Sequence, residues 1–327
     1  MKILVLGAAG MIGRKLIERL LRDGALRGQS IQSIHGFDVV EPTIENSGSI
    51  AISTSAGDIS NAGIVATMVA EKPDVIFHLA AIVSGEAESD FEKGYRVNLQ
   101  GTQNVFDAII SHEGYTPRVV YASSIAVFGA PFPATIEDDY HRTPLTSYGT
   151  QKAIGELLLS DYTRKGLMDG IGIRLPTVVV RPGKPNLAAS GFFSNIIREP
   201  LAGQSAVLPV EEDVMHWVAS PRSAVGFCIH AAEIDGETVG PHRNLTMPGL
   251  AITVGEMIAA LERVAGAETA ALIERKPDDT IAAIVANWPR RFHAARASEL
   301  GFQSETSFEA IIQAHIDDEL GGSTAAR

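Results

Sequence analysis

The sequence predicts an α/β fold: a Rossmann-type doubly wound parallel sheet with a smaller, mostly helical substrate lobe. Three observations predict it. A short apolar run leads into a glycine triplet and then a helical pattern. Apolar strands alternate with helical segments to about residue 180. The character then changes at Arg181-Pro-Gly, where Pro, Gly and Asn cluster over 182–186. We therefore expect a cofactor-binding domain over residues 1–180 and a mainly substrate-binding lobe over 181–327 that exchanges segments with the sheet.

The first strand is Lys2 to Leu6, apolar and bounded by glycine, as in a strand covered on both faces. Gly7, Gly10 and Gly13 follow, and helical periodicity begins at Arg14. Gly7 allows the turn, Gly10 lets a pyrophosphate approach the backbone, and Gly13 lets the helix pack close to the strand. Met11 and Ile12 lie in the first turn of that helix, whose free N–H groups favour an anion. The second strand, from Ser33, ends at Asp38, where a carboxylate meets the hydroxyls of an adenosine ribose and repels a 2′-phosphate. Asp38 thus points to NAD rather than NADP, and the neighbouring Arg14 is the one residue arguing the other way.

A strand over Ile50 to Ile59, a helix over Ile64 to Glu71, and a strand over Pro73 to Ala81 follow. The last ends in small residues, and His78 within it reads as a core histidine. A helix from Phe91 to Ser111 carries Asn98, and Arg118 to Ser124 forms a strand with serines at its carboxyl end, where open parallel sheets bind ligands. Beyond Arg181, segments 187–235 and 250–320 read as mainly helical, with loops at Pro209–Asp213 and Gly236–Pro248.

The chain's 327 residues suffice for a sizeable core. Its formal charge of −12 argues against nucleic acid and anionic membrane surfaces as partners. The single cysteine, Cys228, sits in an apolar helical stretch and excludes an intramolecular disulfide or a cysteine-based metal site. The apolar start reads as a strand too short for a signal peptide, and no stretch approaches a membrane span, so the expected location is the cytoplasm.

The chemistry concentrates at Tyr148-Gly-Thr-Gln-Lys152, preceded by Ser123 and Ser124. Four residues apart on a helix, Tyr148 and Lys152 share a face, with Ile154, Leu157 and Leu158 expected to face the core. A tyrosine loses its proton near pH 10, and a neighbouring ammonium with an oxidised nicotinamide would favour the phenolate. A serine from the adjacent strand then holds the substrate alcohol, and no metal is needed.

These motifs together resemble the extended short-chain dehydrogenases/reductases, the NAD-dependent epimerase/dehydratase family. The resemblance rests on Gly7 to Gly13, Asp58-Ile59, His78-Leu-Ala-Ala81, Val97-Asn98, Ser123 to Gly129, Tyr148 to Lys152 and Arg181-Pro182. It implies NAD as cofactor, with Asp58 and Ile59 flanking the adenine and Leu79, Ala80, Ala81 and Asn98 also at the cofactor. It implies Tyr148 as base, Lys152 on the nicotinamide ribose and Ser124 at the catalytic hydroxyl position beside Ser123. Where the dehydratase members carry an acid, this chain has Ile125. The run from Arg181 to Asn195, with Ser220 to Ser223, looks most like members that oxidise the C2 alcohol of a four-carbon sugar acid with NAD. A carboxylate pocket needs an arginine or several donors. Arg222 is the expected carboxylate holder, with Asn186, Ser190 and Asn195 for hydroxyl contacts and Ser123, Ser124 and Tyr148 around the reacting carbon. The resemblance also implies a homodimer. Three readings stay open beside this one: a nucleotide-sugar epimerase, a dehydrogenase of uronic or other polyol acids, and a cofactor-sensing protein, against which the retained Ser124, Tyr148 and Lys152 argue.

Overall fold

The computed structural model describes residues 1–45, 48–183 and 190–324. Its centre is a seven-stranded, all-parallel sheet. In chain order the strands are β1 (Lys2–Leu6), β2 (Ser33–Asp38), β3 (Ala51–Ala56), β4 (Val75–His78), β5 (Arg118–Ser124), β6 (Asp169–Leu175) and β7 (Asn244–Thr246). Across the sheet they run β7-β6-β5-β4-β1-β2-β3. The order reverses between β1 and β4, which marks the crevice where such sheets take their ligands.

Strand β1 is the middle of this arrangement because it is apolar on both sides: Ile3, Leu4, Val5 and Leu6 are all buried. Helix α1 (Met11–Asp23) turns Leu16, Ile17 and Leu20 onto one face of the sheet and ends at Gly24 in the left-handed conformation. On that same face Val225, Phe227, Cys228 and Ile229 of the helix Pro221–Glu233 join the core of Ile3, Val5, Leu16 and Ile17. The opposite face is covered by α2 (Ala62–Ala70), the helical run 91–110 and the helix Ser147–Arg164, through Val65, Val69, Val105, Phe106 and Leu159. The run 91–110 opens into a π-helical stretch at Tyr95–Gln100.

Two pieces that follow Arg181 in sequence therefore build the sheet layer: the helix Pro221–Glu233, and strand β7, which falls inside the stretch expected as a loop. The second lobe has its own core, in which Phe192, Phe193, Ile196 and Ile197 meet Met257, Leu261, Ile311 and Ile312. It is helical in the main but also contains short strands in segments read as helical: Met215–Ala219 lies between Leu250–Thr253 and Thr177–Val178, and Ala206–Leu208 pairs with Ile273–Arg275. Strands of two to five residues are too short for a two-residue period to stand out from a helical one. Among the described residues no helix is long and apolar enough to cross a membrane.

The approach of α1 to β1 depends on Gly13. A Cβ there would lie 2.2 Å from the Gly7 carbonyl oxygen. Gly13→Ala must push the helix away, and we expect a loss of about 2 kcal/mol, read as a lower thermal midpoint. An unchanged midpoint would show that this contact does not constrain the fold.

Candidate active site

The glycine turn, the end of β2 and the loop after β4 meet at the β1/β4 reversal. Gly7 has φ +92°, and the N–H groups of Gly7 and Ala8 both donate to the Phe37 carbonyl, at 2.8 and 3.1 Å. A Cβ on Gly7 would stand 2.7 Å from the Ala80 nitrogen, so the Leu79-Ala80-Ala81 segment lies directly on the turn. Gly10 begins α1 with no side-chain cap, which leaves the N–H groups of Met11, Ile12 and Gly13 for another acceptor. Gly10 is itself exposed, and the single neighbour a Cβ there would meet is the Gly7 carbonyl oxygen. Asp38 sits beside this turn, its carboxylate accepting from the Ala9 N–H at 2.9 Å and the Val39 N–H at 2.6 Å. An uncapped helix start, an open glycine face and a carboxylate at the end of β2 fit a dinucleotide's pyrophosphate and ribose.

Two of the expected cofactor residues act differently from their neighbours. Asp58 is exposed; burial works against its ionisation, but the hydroxyl and N–H of Ser60 and the nearby Arg96 and Lys93 cations hold it below the usual carboxylate range. The Ile59 side chain is instead buried, packed so closely that a Cβ on Gly101 would strike it. Any ligand contact from Ile59 must come from its backbone. Asn98 is buried, with Oδ1 accepting from the Ile82 N–H at 2.8 Å and Nδ2 donating to the Ile82 carbonyl and the Gln151 side chain. It clamps the loop that follows Ala81.

The reacting end is built where β5 meets the helix Ser147–Arg164, here α3. Thr146 caps this helix through the Gly149 N–H. Gly149 lets the helix start against the turn after β5, since a Cβ would fall 2.1 Å from the Ala126 carbonyl oxygen. Ser124 ends β5 and accepts from the Ala126 N–H at 3.1 Å. Burial raises Tyr148 to about 12, while the Ser124 hydroxyl and the Arg181 guanidinium pull the other way. Lys152 donates to the Ala122 carbonyl at 2.8 Å, with Nζ 5.7 Å from the centre of the Tyr148 ring. Burial pushes the Lys152 ammonium down to about 8, with Glu156 opposing. Tyr148 thus stays a phenol in the protein by itself, and the phenolate expected from the ammonium together with an oxidised nicotinamide needs the second of these.

Several expectations need correction. Ser123 does not face the site. Successive strand residues point to opposite faces, and the Ser123 hydroxyl donates to the buried Glu156 carboxylate at 2.6 Å. The buried residues of α3 are Gly149, Gln151, Lys152, Ala153, Gly155, Glu156 and Leu159, whereas Leu157 is exposed and Ile154 and Leu158 only half-buried. Here the polar residues hold the chemistry, so an apolar pattern misassigns the face. Arg222 is 50% exposed, and its guanidinium is spent on Asp318 at 2.7 Å and Asp317 at 3.6 Å. The arginine beside Tyr148 is Arg181, which donates to the Val178 carbonyl at 2.9 Å and the Ser190 hydroxyl at 2.8 Å. Among the described residues no carboxylate pairs with it. Asn195 accepts from Arg198 at 2.8 Å, and Arg198 donates to the Arg181 carbonyl at 2.7 Å, so Ser190 and Asn195 both gather around Arg181. Asn186 lies outside the described residues. The signal for Arg181 was the Arg-Pro pair just past β6; the signal for Glu156 was its place four residues after Lys152.

A family model for the NAD dependent epimerase/dehydratase family matches residues 3–219. The D-erythronate dehydrogenase of Cupriavidus necator is 43% identical, over 97% of this chain and 98% of that protein. The D-erythronate dehydrogenase of Haemophilus influenzae is 38% identical, over 98% of this chain and all of that protein. A crystal structure described as the nucleoside-diphosphate-sugar epimerase from Agrobacterium tumefaciens superposes with a TM-score of 0.97 at 61% identity, covering 99% of this chain and 95% of that one.

The depressed Lys152 carries a stability cost. The unfolded chain holds that proton up to about pH 10.5, the folded chain only to about 8. Charging it in the folded protein therefore costs about 3 kcal/mol below pH 8, and the cost fades as pH rises from 8 to 10.5. Lys152→Met is expected to raise the thermal midpoint at pH 7, less whatever the Ala122 hydrogen bond contributes, and to lose that advantage by pH 10. A midpoint difference that does not change with pH would contradict burial as the cause.

Proposed function

The chain belongs to the NAD dependent epimerase/dehydratase family, and from that premise we propose that it is an NAD-dependent dehydrogenase oxidising the C2 hydroxyl of a small sugar acid, D-erythronate to 2-dehydro-D-erythronate. The observation that carries this reading is Arg181, a half-buried cation with no carboxylate partner among the described residues, set beside the Ser124–Tyr148 pair. A free sugar acid offers the matching pair of groups: a carboxylate for the guanidinium and an adjacent alcohol for the two hydroxyls. The near full-length likeness to two D-erythronate dehydrogenases supports the same choice.

NAD, when bound, supplies the hydride acceptor. The uncapped start of α1 and the Gly7–Gly13 turn would hold its pyrophosphate, with Asp38 at the adenosine ribose and Asp58 near the adenine. Asn98 fixes the loop that carries Ala80 and Ala81 against this turn. Arg181 holds the substrate carboxylate, and Ser190 steadies the guanidinium. Ser124 and Tyr148 take the C2 hydroxyl, and Tyr148 receives its proton. Lys152, tied to the Ala122 carbonyl, keeps a positive charge close to the tyrosine ring. We place the enzyme in the cytoplasm as a homodimer. The exposed Phe91 and Leu157, on the run 91–110 and on α3, support the second choice.

The likeness to the structure described as a sugar epimerase favours a second reading, in which a nucleotide sugar is the substrate. The deciding assay mixes purified enzyme and NAD⁺ with free four- to six-carbon sugar acids and with nucleotide sugars. We expect NADH from D-erythronate. Tyr148→Phe should lower kcat by a factor of about 10² to 10⁴. Arg181→Gln should raise KM and reduce kcat/KM roughly ten- to a hundredfold. Isomerisation of a nucleotide sugar without net NADH, by protein that purifies with NAD bound, would instead establish the epimerase.

A further inference from the structure

His216 and Thr177 form a pair that none of the assigned roles uses. His216 lies on the strand Met215–Ala219 and is 2% exposed. Its Nδ1 stands 3.0 Å from the Pro289 carbonyl oxygen. A carbonyl has no proton to give, so Nδ1 carries the hydrogen. Burial, with the Arg181 cation nearby, holds the ring at about 4, and the imidazole is neutral. Nε2 is therefore bare. It lies 2.6 Å from the Thr177 hydroxyl, which must be the donor. The ring plane is held by stacking on Phe193 at 5.1 Å and 6°, with Trp288 5.4 Å away, and a half-turn within that plane would put carbon at both hydrogen-bonding positions. Thr177 has then committed its only proton and has lone pairs alone to offer.

Thr177 also stands in the right place. Strand β6 ends at Leu175, whose register partner is Ser124. Thr177 is two residues further along, half-buried just past the carboxyl end of β6, and its partner His216 lies close enough to Arg181 to feel that charge. The next carbonyl, Val178, holds Arg181 Nε.

We propose that His216 is a positioning residue that fixes the Thr177 hydroxyl as a pure hydrogen-bond acceptor in the substrate pocket, where it accepts a hydrogen bond from a second substrate hydroxyl and so selects polyhydroxy acids over simple 2-hydroxy acids. This rests on the sugar-acid reading of the site and adds the residues that recognise the rest of the molecule. A plain 2-hydroxy acid would leave that acceptor facing an alkyl group, a penalty that a hydrogen-bonding site imposes and a shape-matched apolar one does not.

The test has two parts. Nitrogen-15 NMR of the protein should show His216 protonated at Nδ1 alone, from neutral pH down to pH 5. In kinetics, D-erythronate should exceed 2,4-dihydroxybutyrate or 2,3-dihydroxybutyrate by roughly ten- to a hundredfold in kcat/KM. Thr177→Val, nearly the same shape, should erase that preference, read as a raised KM for D-erythronate. Thr177→Ser should keep it. His216→Phe retains the stacking partner but frees the hydroxyl, and should weaken the preference. A His216 ring protonated at Nε2 overturns the proposal, as does equal use of all three acids by the unaltered enzyme, or a uniform loss on all three in Thr177→Val. Turnover of D-erythronate without preference removes the selection alone, whereas no turnover of any free acid removes the sugar-acid reading with it.

Discussion

The structure around the catalytic helix depends on one buried carboxylate. Glu156 is wholly shielded from solvent, where an unpaired ion would cost several kcal/mol. Its two oxygens accept four hydrogen bonds: Ser123 Oγ at 2.6 Å and Arg174 Nε at 2.9 Å on one, Arg174 Nη2 at 2.9 Å and Arg142 Nη1 at 3.0 Å on the other. These partners come from β5, β6 and the loop before α3. One ion therefore ties the helix bearing Tyr148 and Lys152 to two strands and to its own approach loop. Geometry of this kind is costly to break, because removing any partner leaves charge behind in a dry place. It also places a negative group one helical turn from Lys152, opposing the burial that would otherwise strip the ammonium of its proton more completely.

This explains why the polar side of α3 is the inner one. An amphipathic surface helix buries its apolar stripe, but here the inner stripe includes Gln151, Lys152 and Glu156, with Gln151 Oε1 accepting from Asn98, Lys152 donating to the Ala122 carbonyl and Glu156 held by its four donors. Reading apolar residues as buried inverts this helix, and Leu157 is left outside. The same logic separates the two serines. Ser123 and Ser124 are indistinguishable as residue types, and the pleat of β5 alone assigns one to Glu156 and the other to the catalytic tyrosine.

The turn proposed to hold the cofactor was legible because its residues are consecutive and their placement follows from backbone geometry. Gly7, Gly10 and Gly13 fix the turn, Asp38 ends the next strand, and Ala80 lies two residues past the end of β4. The central strands were legible for the same reason: continuous burial leaves an apolar run such as Ile3 to Leu6. The substrate half was not. Its residues come from the end of β6, from the start of the helix Gly191–Leu201 and from a strand of the second lobe, and nothing local in the sequence says that Thr177 and His216, 39 positions apart, will touch. The sequence pointed to an arginine before a helix, Arg222. Its neighbours decide the matter, since Asp317 and Asp318 neutralise Arg222 from the distant C-terminal helix Phe308–Glu319, while Arg181 meets hydroxyl and carbonyl oxygens that leave its charge uncompensated.

That uncompensated charge links the two halves. A half-buried guanidinium with no carboxylate partner among the described residues is held in place by hydrogen bonds to other acceptors, here the Val178 carbonyl and the Ser190 hydroxyl for Arg181. Arg198 buttresses it from behind through the Arg181 carbonyl, and its own charge is matched by Glu199. The net positive field at the site therefore comes from Arg181 itself, and it acts on two groups. It favours the phenolate of Tyr148, against a burial that holds the proton on, and it disfavours a proton on His216. A bound carboxylate would cancel much of that field where it meets the guanidinium. Substrate binding and the acidity of the base are then opposed by simple electrostatics, and the tyrosine must draw its remaining acidity from the cationic side of the cofactor and from Lys152. On the proposed reading the division of labour follows from placement: Arg181 would hold the acid, Lys152 and the oxidised cofactor would serve the proton, and the neutral Thr177–His216 pair would take the rest of the substrate, where a further charge would disturb both.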